Sequence, residues 1–213
     1  ETNLTIRTKG MEDALSSIDI AARWGAKILV VHPGGWFDDH SEGERTLNCM
    51  ESLVRICNYA EPKGIKVAVE NLPMGFFGED LETLSCILAE VRKKVNRPEN
   101  IGICLDTGHA HLTENLYDIL SEFKDSIFTM HLQDNNGDQN RSRKDALDDL
   151  HLPPGQGGID WRRFFITLED IGYRGAIIFE LKGDSIKGQD KNFIMGKLRE
   201  FLSREPYFRN KIR

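Results

Sequence analysis

The chain is poor in cysteine, has no long apolar run and carries no excess of basic charge. Its four cysteines are Cys49, Cys57, Cys86 and Cys104, and none forms a CxxC pair. That spacing argues against a disulfide framework or a cysteine-based zinc knuckle. Three of the four fall in patterns that read as helix or strand interior, so reduced, buried thiols in a cytoplasmic protein are expected. No apolar stretch approaches the ~18–20 residues needed to cross a bilayer, and no basic-then-apolar leader opens the chain. The first residue is Glu1 rather than Met, so the true start is expected upstream. The net charge of −6 offers no general attraction to a polyanion, which argues against nucleic acid without deciding it, because bound cations can reverse the field inside a site.

What is present is an ordinary globular composition. Hydrophobic residues make up 39% and charged residues 29% of 213 positions, enough for a single domain, residues 1–213, with a sizeable core. Five short apolar runs read as buried parallel strands: Lys27–His32, Ile65–Glu70, Ile101–Asp106, Ser126–His131 and Ala176–Glu180. They are rich in β-branched residues and lack clean alternation, the pattern of strands covered on both faces. Amphipathic stretches separate them at Met11–Trp24, Glu44–Ala60, Leu81–Val95, Leu116–Phe123 and Trp161–Ile171, with a last helix over Asn192–Ser203. Asp160 is placed to cap the helix that begins at Trp161. Strands alternating with helices in this way imply βαβ units and a parallel sheet. The one long connection, Asp134–Ile159, is rich in Asn, Asp, Gly and charge, and a loop of that length in a compact domain is usually functional.

The strand ends carry the chemistry. The five runs close on His32, Glu70, Asp106, His131 and Glu180, each a metal-ligand or acid–base residue. Any one alone reads more simply as a helix cap or a hydrogen-bonded boundary residue. Together they form a set, because the C-terminal ends of barrel strands converge on the face where active sites sit. Carboxylate and imidazole in combination suit zinc or manganese. Glu70 and Glu180 come from separate strands and could flank a substrate carbon, the arrangement two-base proton transfer needs. His109, three residues past Asp106, and the Asp149-x-His151 pair in the long loop would form a second metal or substrate site. His40 reads as solvated surface, and His111 as a supporting or helix-surface residue. Trp36 and Phe76–Phe77 are rim or core aromatics, the glycines of Pro154–Gly158 turn the chain, and Arg141, Arg143 and Lys144 form a basic cluster that is solvated or touches phosphate.

At these residues the sequence resembles the xylose-isomerase-like TIM barrels, a superfamily shared by sugar isomerases, sugar epimerases and endonuclease IV. The matching segments run in order: VVHPGG (30–35), VAVENLP (67–73), CLDTGHAH (104–111), MHLQDNNG (130–137), DLHLPPGQGGIDW (149–161) and IIFELK (177–182). The resemblance implies that Glu70, Asp106, His131 and Glu180 are core metal ligands. In the epimerase branch the two glutamates are also the acid–base pair, and the position of His109 contacts substrate. In the endonuclease branch, with three zincs, His32 and Glu70 match the first site, with Glu70 bridging to the second. Asp106, His131 and Glu180 match the second, and His109, Asp149 and His151 the third. The first strand here aligns with the family's fourth, so the expected fold is an α/β (β/α)8 TIM barrel lacking its first three βα units. A fragment, a truncated product or a chain completed by another is then expected, and exposed strand edges favour a homo-oligomer.

Three readings follow. The first is a metal-dependent isomerase or epimerase acting on a keto sugar or polyol by metal-assisted proton or hydride transfer, favoured by PPGQGGIDW and by ENLP where an endonuclease would carry an ENTAGQG-like run. The second is an endonuclease IV-type phosphodiesterase cutting DNA at abasic sites, favoured by the Asp149-x-His151 pair with His109. The third is a degenerate barrel without catalysis.

Overall fold

The computed structural model describes residues 3–35, 42–137, 149–188 and 190–208. Helix α1 (Leu4–Arg23) leads into strand β1 (Ile28–Val31). Then follow α2 (Glu42–Ala60), β2 (Lys66–Glu70), α3 (Leu81–Arg92), β3 (Ile101–Asp106), the short α4 (Thr107–Leu112) and α5 (Leu116–Glu122), β4 (Ile127–Leu132), α6 (Trp161–Asp170), β5 (Ala176–Phe179) and α7 (Lys191–Arg204). The five strands form one sheet in the order β1-β2-β3-β4-β5, all neighbours parallel. Spatial order equal to chain order, with a helical connection at each step, is the winding of a β/α barrel rather than of a doubly wound sheet. The result is part of a (β/α)8 barrel: five of its strands, as the alternation of runs predicts.

Burial follows from position in the sheet. Every residue of β3 is buried, as are Val67–Glu70 of β2, whereas β1 and β5 at the two edges are half-buried to exposed. The strands are slightly displaced from the sequence expectation. β1 stops at Val31 and β5 at Phe179, so His32 and Glu180 are the first residues beyond their strands, and β4 continues one residue past His131 to Leu132. α1 starts seven residues before the predicted Met11, because Asn3 caps it, its side chain accepting from the N–H groups of Thr5 and Ile6.

Between sheet and helices lies one apolar layer. Leu53 and Ile56 of α2 and Leu84, Ile87, Leu88 and Val91 of α3 pack with Val67, Val69, Ile103 and Leu105 of the strands, all with at most 7% exposure. Trp161, Phe164 and Phe165 of α6 extend it into an aromatic cluster with Phe201, Tyr207 and Phe208. Each such ring contributes roughly 2–3 kcal/mol on burial. Asp160 caps α6 by accepting from the Arg163 N–H at 3.0 Å. Gly102 permits the β3–β4 contact: a Cβ there would lie 2.2 Å from the Ser126 carbonyl oxygen. Cys49, Cys57 and Cys104 are buried, and Cys86 is exposed on α3, so three of the four thiols are interior. Its apolar neighbours Ile87 and Leu88 take the inward positions and leave it outside. Among the described residues, no helix is long and apolar enough to cross a membrane.

Candidate metal centre

The parallel register brings the strand ends together. Cα pairing sets Glu70 beside Cys104 and Asp106 beside His131, and Glu180 continues the ladder by donating its N–H to the Leu132 carbonyl at 3.1 Å. One donor atom from each of Glu70, Asp106, His131 and Glu180 lies within 4.8 Å of the others. His131 Nδ1 stands 3.2 Å from Glu70 Oε1 and 2.5 Å from Glu180 Oε2. His32 is at the edge: its Nε2 is 3.4 Å from Glu70 Oε2, but the ring is 61% exposed while Glu70 is 3% exposed. It touches the cluster through Glu70 and is not among the four mutually close groups.

A second cluster adjoins the first. His109, Asp149 and His151 also place donor atoms within 4.8 Å of one another, with Asp149 Oδ2 2.8 Å from His151 Nε2 and 3.5 Å from His109 Nε2. His109 links the two groups. Its Nδ1 donates to the Asn71 carbonyl at 3.0 Å and lies 3.6 Å from Asp106 Oδ1 and 3.7 Å from Glu70 Oε1. His151 holds a left-handed backbone, φ +47°, which a non-glycine residue adopts at a cost and which clusters at functional sites. Lys182 donates to the carbonyl oxygen of Asp149 and sits 3.3 Å from its Oδ2.

The electrostatics are those of four carboxylates crowded together, three of them largely buried and Glu180 partly exposed. Burial pushes Asp106 up to about 6, partly offset by His109. Burial also acts to raise Glu70, but hydrogen bonds with His131 and His32 prevail and hold it at about 2. The imidazoles respond inversely. Burial opposes charge on His109, yet Asp106 and Asp149 raise it to about 9. His131 is likewise raised against burial by Cys104, Glu180 and Glu70. The His131 ring holds Glu180 below its ordinary value, and Asp149 is held low against burial by His109 and His151. Protons on the rings supply the positive charge that the carboxylates demand.

These side chains suit a divalent cation. Asp106 is fully buried, and its Oδ2 has no hydrogen-bond partner among the described residues. Glu180 Oε2 also lacks a well-aligned one despite its contact with His131. Buried anionic oxygens without donors are rare and costly, and a cation would satisfy both. The mixed oxygen and imidazole set fits zinc or manganese better than magnesium.

Sequence reasoning passed over the residues that hold this set. Asn71, Gln133, Asp134 and Asn135 are all fully buried. Asp134 Oδ2 accepts from the Gly155 N–H and Trp161 Nε1, both at 2.8 Å, and Oδ1 from the N–H groups of Asn135 (3.0 Å) and Ile159 (3.2 Å). It thereby folds the Pro154–Gly158 turn, and Gly157 is glycine because a Cβ would meet Asp134 Oδ1 at 2.4 Å. The only sequence signal was a polar QDNN run directly after an apolar strand. His111 joins neither cluster; it is half-buried, with Nε2 unpartnered among the described residues. Phe77 is core, packed beneath Gly34, and Phe76 is half-buried. Trp36, His40, Arg141, Arg143 and Lys144 lie outside the described residues.

Fold and cluster together define a β/α-barrel protein with an acid–imidazole centre at the C-terminal ends of its strands. The chain belongs to the xylose isomerase-like TIM barrel family, whose description matches residues 1–205. An uncharacterized protein of Methanocaldococcus jannaschii is 31% identical over 88% of this chain and 62% of its own length, so the chain spans less than two thirds of that relative. An inosose isomerase of Bacillus licheniformis is 30% identical over 62% of this chain and 45% of that protein. A probable endonuclease 4 of Campylobacter concisus is 30% identical over 49% of the chain and 35% of that protein. Among solved structures, a D-tagatose 3-epimerase-like protein superposes with TM-score 0.74 at 29% identity, covering 96% of this chain and 73% of that one. The IOLI protein with a binding zinc atom shares the fold, with TM-score 0.78 at 21% identity over 96% of this chain and 71% of that one.

Proposed function

We propose that this chain carries the centre of a divalent-metal-dependent sugar isomerase or epimerase acting on a keto sugar or related polyol. The supporting observation is the mutual approach of Glu70, Asp106, His131 and Glu180 to within 4.8 Å, with two glutamates from non-adjacent strands. These four residues would hold the ion, zinc or manganese by their donor chemistry. When bound, it would polarise a substrate carbonyl and make the adjacent C–H more acidic. Glu70 and Glu180 are both held ionised at neutral pH, so either carboxylate can accept a proton from the substrate carbon while the other, once protonated, returns one to the opposite face. Glu70 is buried and Glu180 is 42% exposed at the side chain, which orients substrate entry towards Glu180. In this reading His109 and the Asp149–His151 pair would contact substrate hydroxyls. Likeness to the inosose isomerase and the epimerase-like structure agrees with this reading.

The test is exchange of the ketose C–H for deuterium in heavy water with zinc or manganese present. Exchange that disappears in Glu70→Gln and Glu180→Gln supports the reading, while exchange that persists in both overturns it. A second reading is favoured by the intact His109–Asp149–His151 cluster and by the endonuclease 4 likeness: zinc-dependent cleavage of DNA at abasic sites. Metal-dependent nicking of an abasic duplex, lost in Glu180→Ala, would establish that instead. Binding of about one ion per chain favours the first reading, and two or three the second.

A further inference from the structure

The two clusters share one neutral side chain. Gln133 Nε2 donates to Asp106 Oδ1 at 3.0 Å and to Asp149 Oδ1 at 3.2 Å, so one amide nitrogen spans a carboxylate from each group. Its orientation is fixed by the next amide. The Leu150 N–H donates to Asn135 Oδ1 at 2.6 Å, which makes the other end of Asn135 the donor. That Nδ2 donates to Gln133 Oε1 at 3.0 Å and to Asp149 Oδ1 at 3.2 Å. With Oε1 so occupied, only Nε2 of Gln133 faces the two acids. The backbone is clamped as well: Thr107 Oγ1 donates to the Gln133 carbonyl at 2.7 Å. Gly108 leaves the room, since a Cβ there would fall 2.1 Å from Gln133 Oε1.

This arrangement assigns the oxygens. Gln133 occupies Oδ1 of each carboxylate and leaves Oδ2 of Asp106 without a partner among the described residues and Oδ2 of Asp149 facing His109, His151 and Lys182. Being uncharged, the amide steadies both acids without competing with a cation for them, and a shift of either acid moves the same nitrogen.

We propose that Gln133 is a positioning residue that couples the two clusters, so that the state of Asp149 alters how tightly the Asp106 cluster binds a divalent ion. The metal half of this statement rests on the proposed function; the coupling of the two carboxylates does not.

Zinc titration calorimetry on the whole chain tests it, with Asp149→Ala made in the wild type and in Gln133→Leu. Gln133→Met serves as the second background, matching the length without the donor and covering any folding defect in the first. Removal of a supporting hydrogen bond should weaken zinc binding roughly ten- to hundred-fold. Asp149→Ala should weaken the Glu70–Asp106–His131–Glu180 site clearly more in the wild type than where Gln133 is already replaced, because only the path through His109 then remains. Equal weakening in both backgrounds overturns the proposal. If the wild type binds no zinc, the proposed function fails, and the coupling is read instead in denaturant midpoints. Asp106→Asn and Asp149→Asn should then be more strongly non-additive with Gln133 present than without it. Equal coupling in both backgrounds overturns the proposal.

Discussion

Asn71 and Asp106 are joined by a reciprocal pair of hydrogen bonds across neighbouring strands. Asn71 Nδ2 donates to the Asp106 carbonyl at 3.0 Å, and the Asp106 N–H donates to Asn71 Oδ1 at 2.8 Å. The amide of one strand end thus takes the place of the next rung of the β-ladder and sets the direction from which Asp106 enters the cluster.

Asn71→Ala should therefore destabilise the chain by roughly 2–4 kcal/mol, because it strands a buried N–H and a buried C=O at once. Asn71→Asp restores the acceptor alone and should recover only part of this. Urea midpoints of the three proteins check the order; equal midpoints for wild type and Asn71→Ala would refute the clamp.

Asp134→Ala should cost about 3–5 kcal/mol, since four donors lose their acceptor inside the protein. The Pro154–Gly158 turn should loosen first. Limited proteolysis should cut there in the variant at a temperature where the wild type resists, and Trp161 emission should shift to the red.

Two glycine substitutions should act in opposite directions. Gly10 lies exposed within α1 with nothing near its Cβ position, so Gly10→Ala should stabilise by about 0.5–1 kcal/mol. Gly108 is also helical, but a Cβ there strikes the Gln133 amide. Gly108→Ala should lower both thermal stability and zinc affinity, as scanning calorimetry and metal titration would show.

Burial raises the Cys49 and Cys57 thiols from about 9 to about 12. A raised acid favours the neutral folded form, so this contribution is complete below about pH 9 and is lost as pH climbs towards 12. The urea midpoint should fall between pH 9 and 11, and less steeply in a Cys49→Ala, Cys57→Ala variant. At pH 8 iodoacetamide should label exposed Cys86 first; labelling of Cys49 at the same rate would contradict its burial.

Much of the fold was legible because it is written locally. The β-branched run at Ile101–Asp106 and the amphipathic stretch at Leu81–Val95 carry their own periods, and Asp160 marks its helix start by a bond three residues long. The short α4 was not legible: six residues are too few for a period, and Asp106 acts there both as cluster member and as cap, accepting from the His109 N–H. The acidic and imidazole members of the site were visible as strand endings. Their supports were not, because an asparagine or glutamine in sequence does not declare which distant group it will meet. Asn71 reaches 35 residues ahead and Gln133 27 behind.

The sequence alone determined the class of fold, the alternation of elements and the roster of ligand-type residues, since these depend on side-chain period and chemistry within a few neighbours. Only the tertiary structure decided that Glu70, Asp106, His131 and Glu180 meet while His32 stays at the rim, and that Asp149 and Asp106 share one amide. Those outcomes depend on strand register and on long-range hydrogen bonds, which exist only once separate segments are packed against each other.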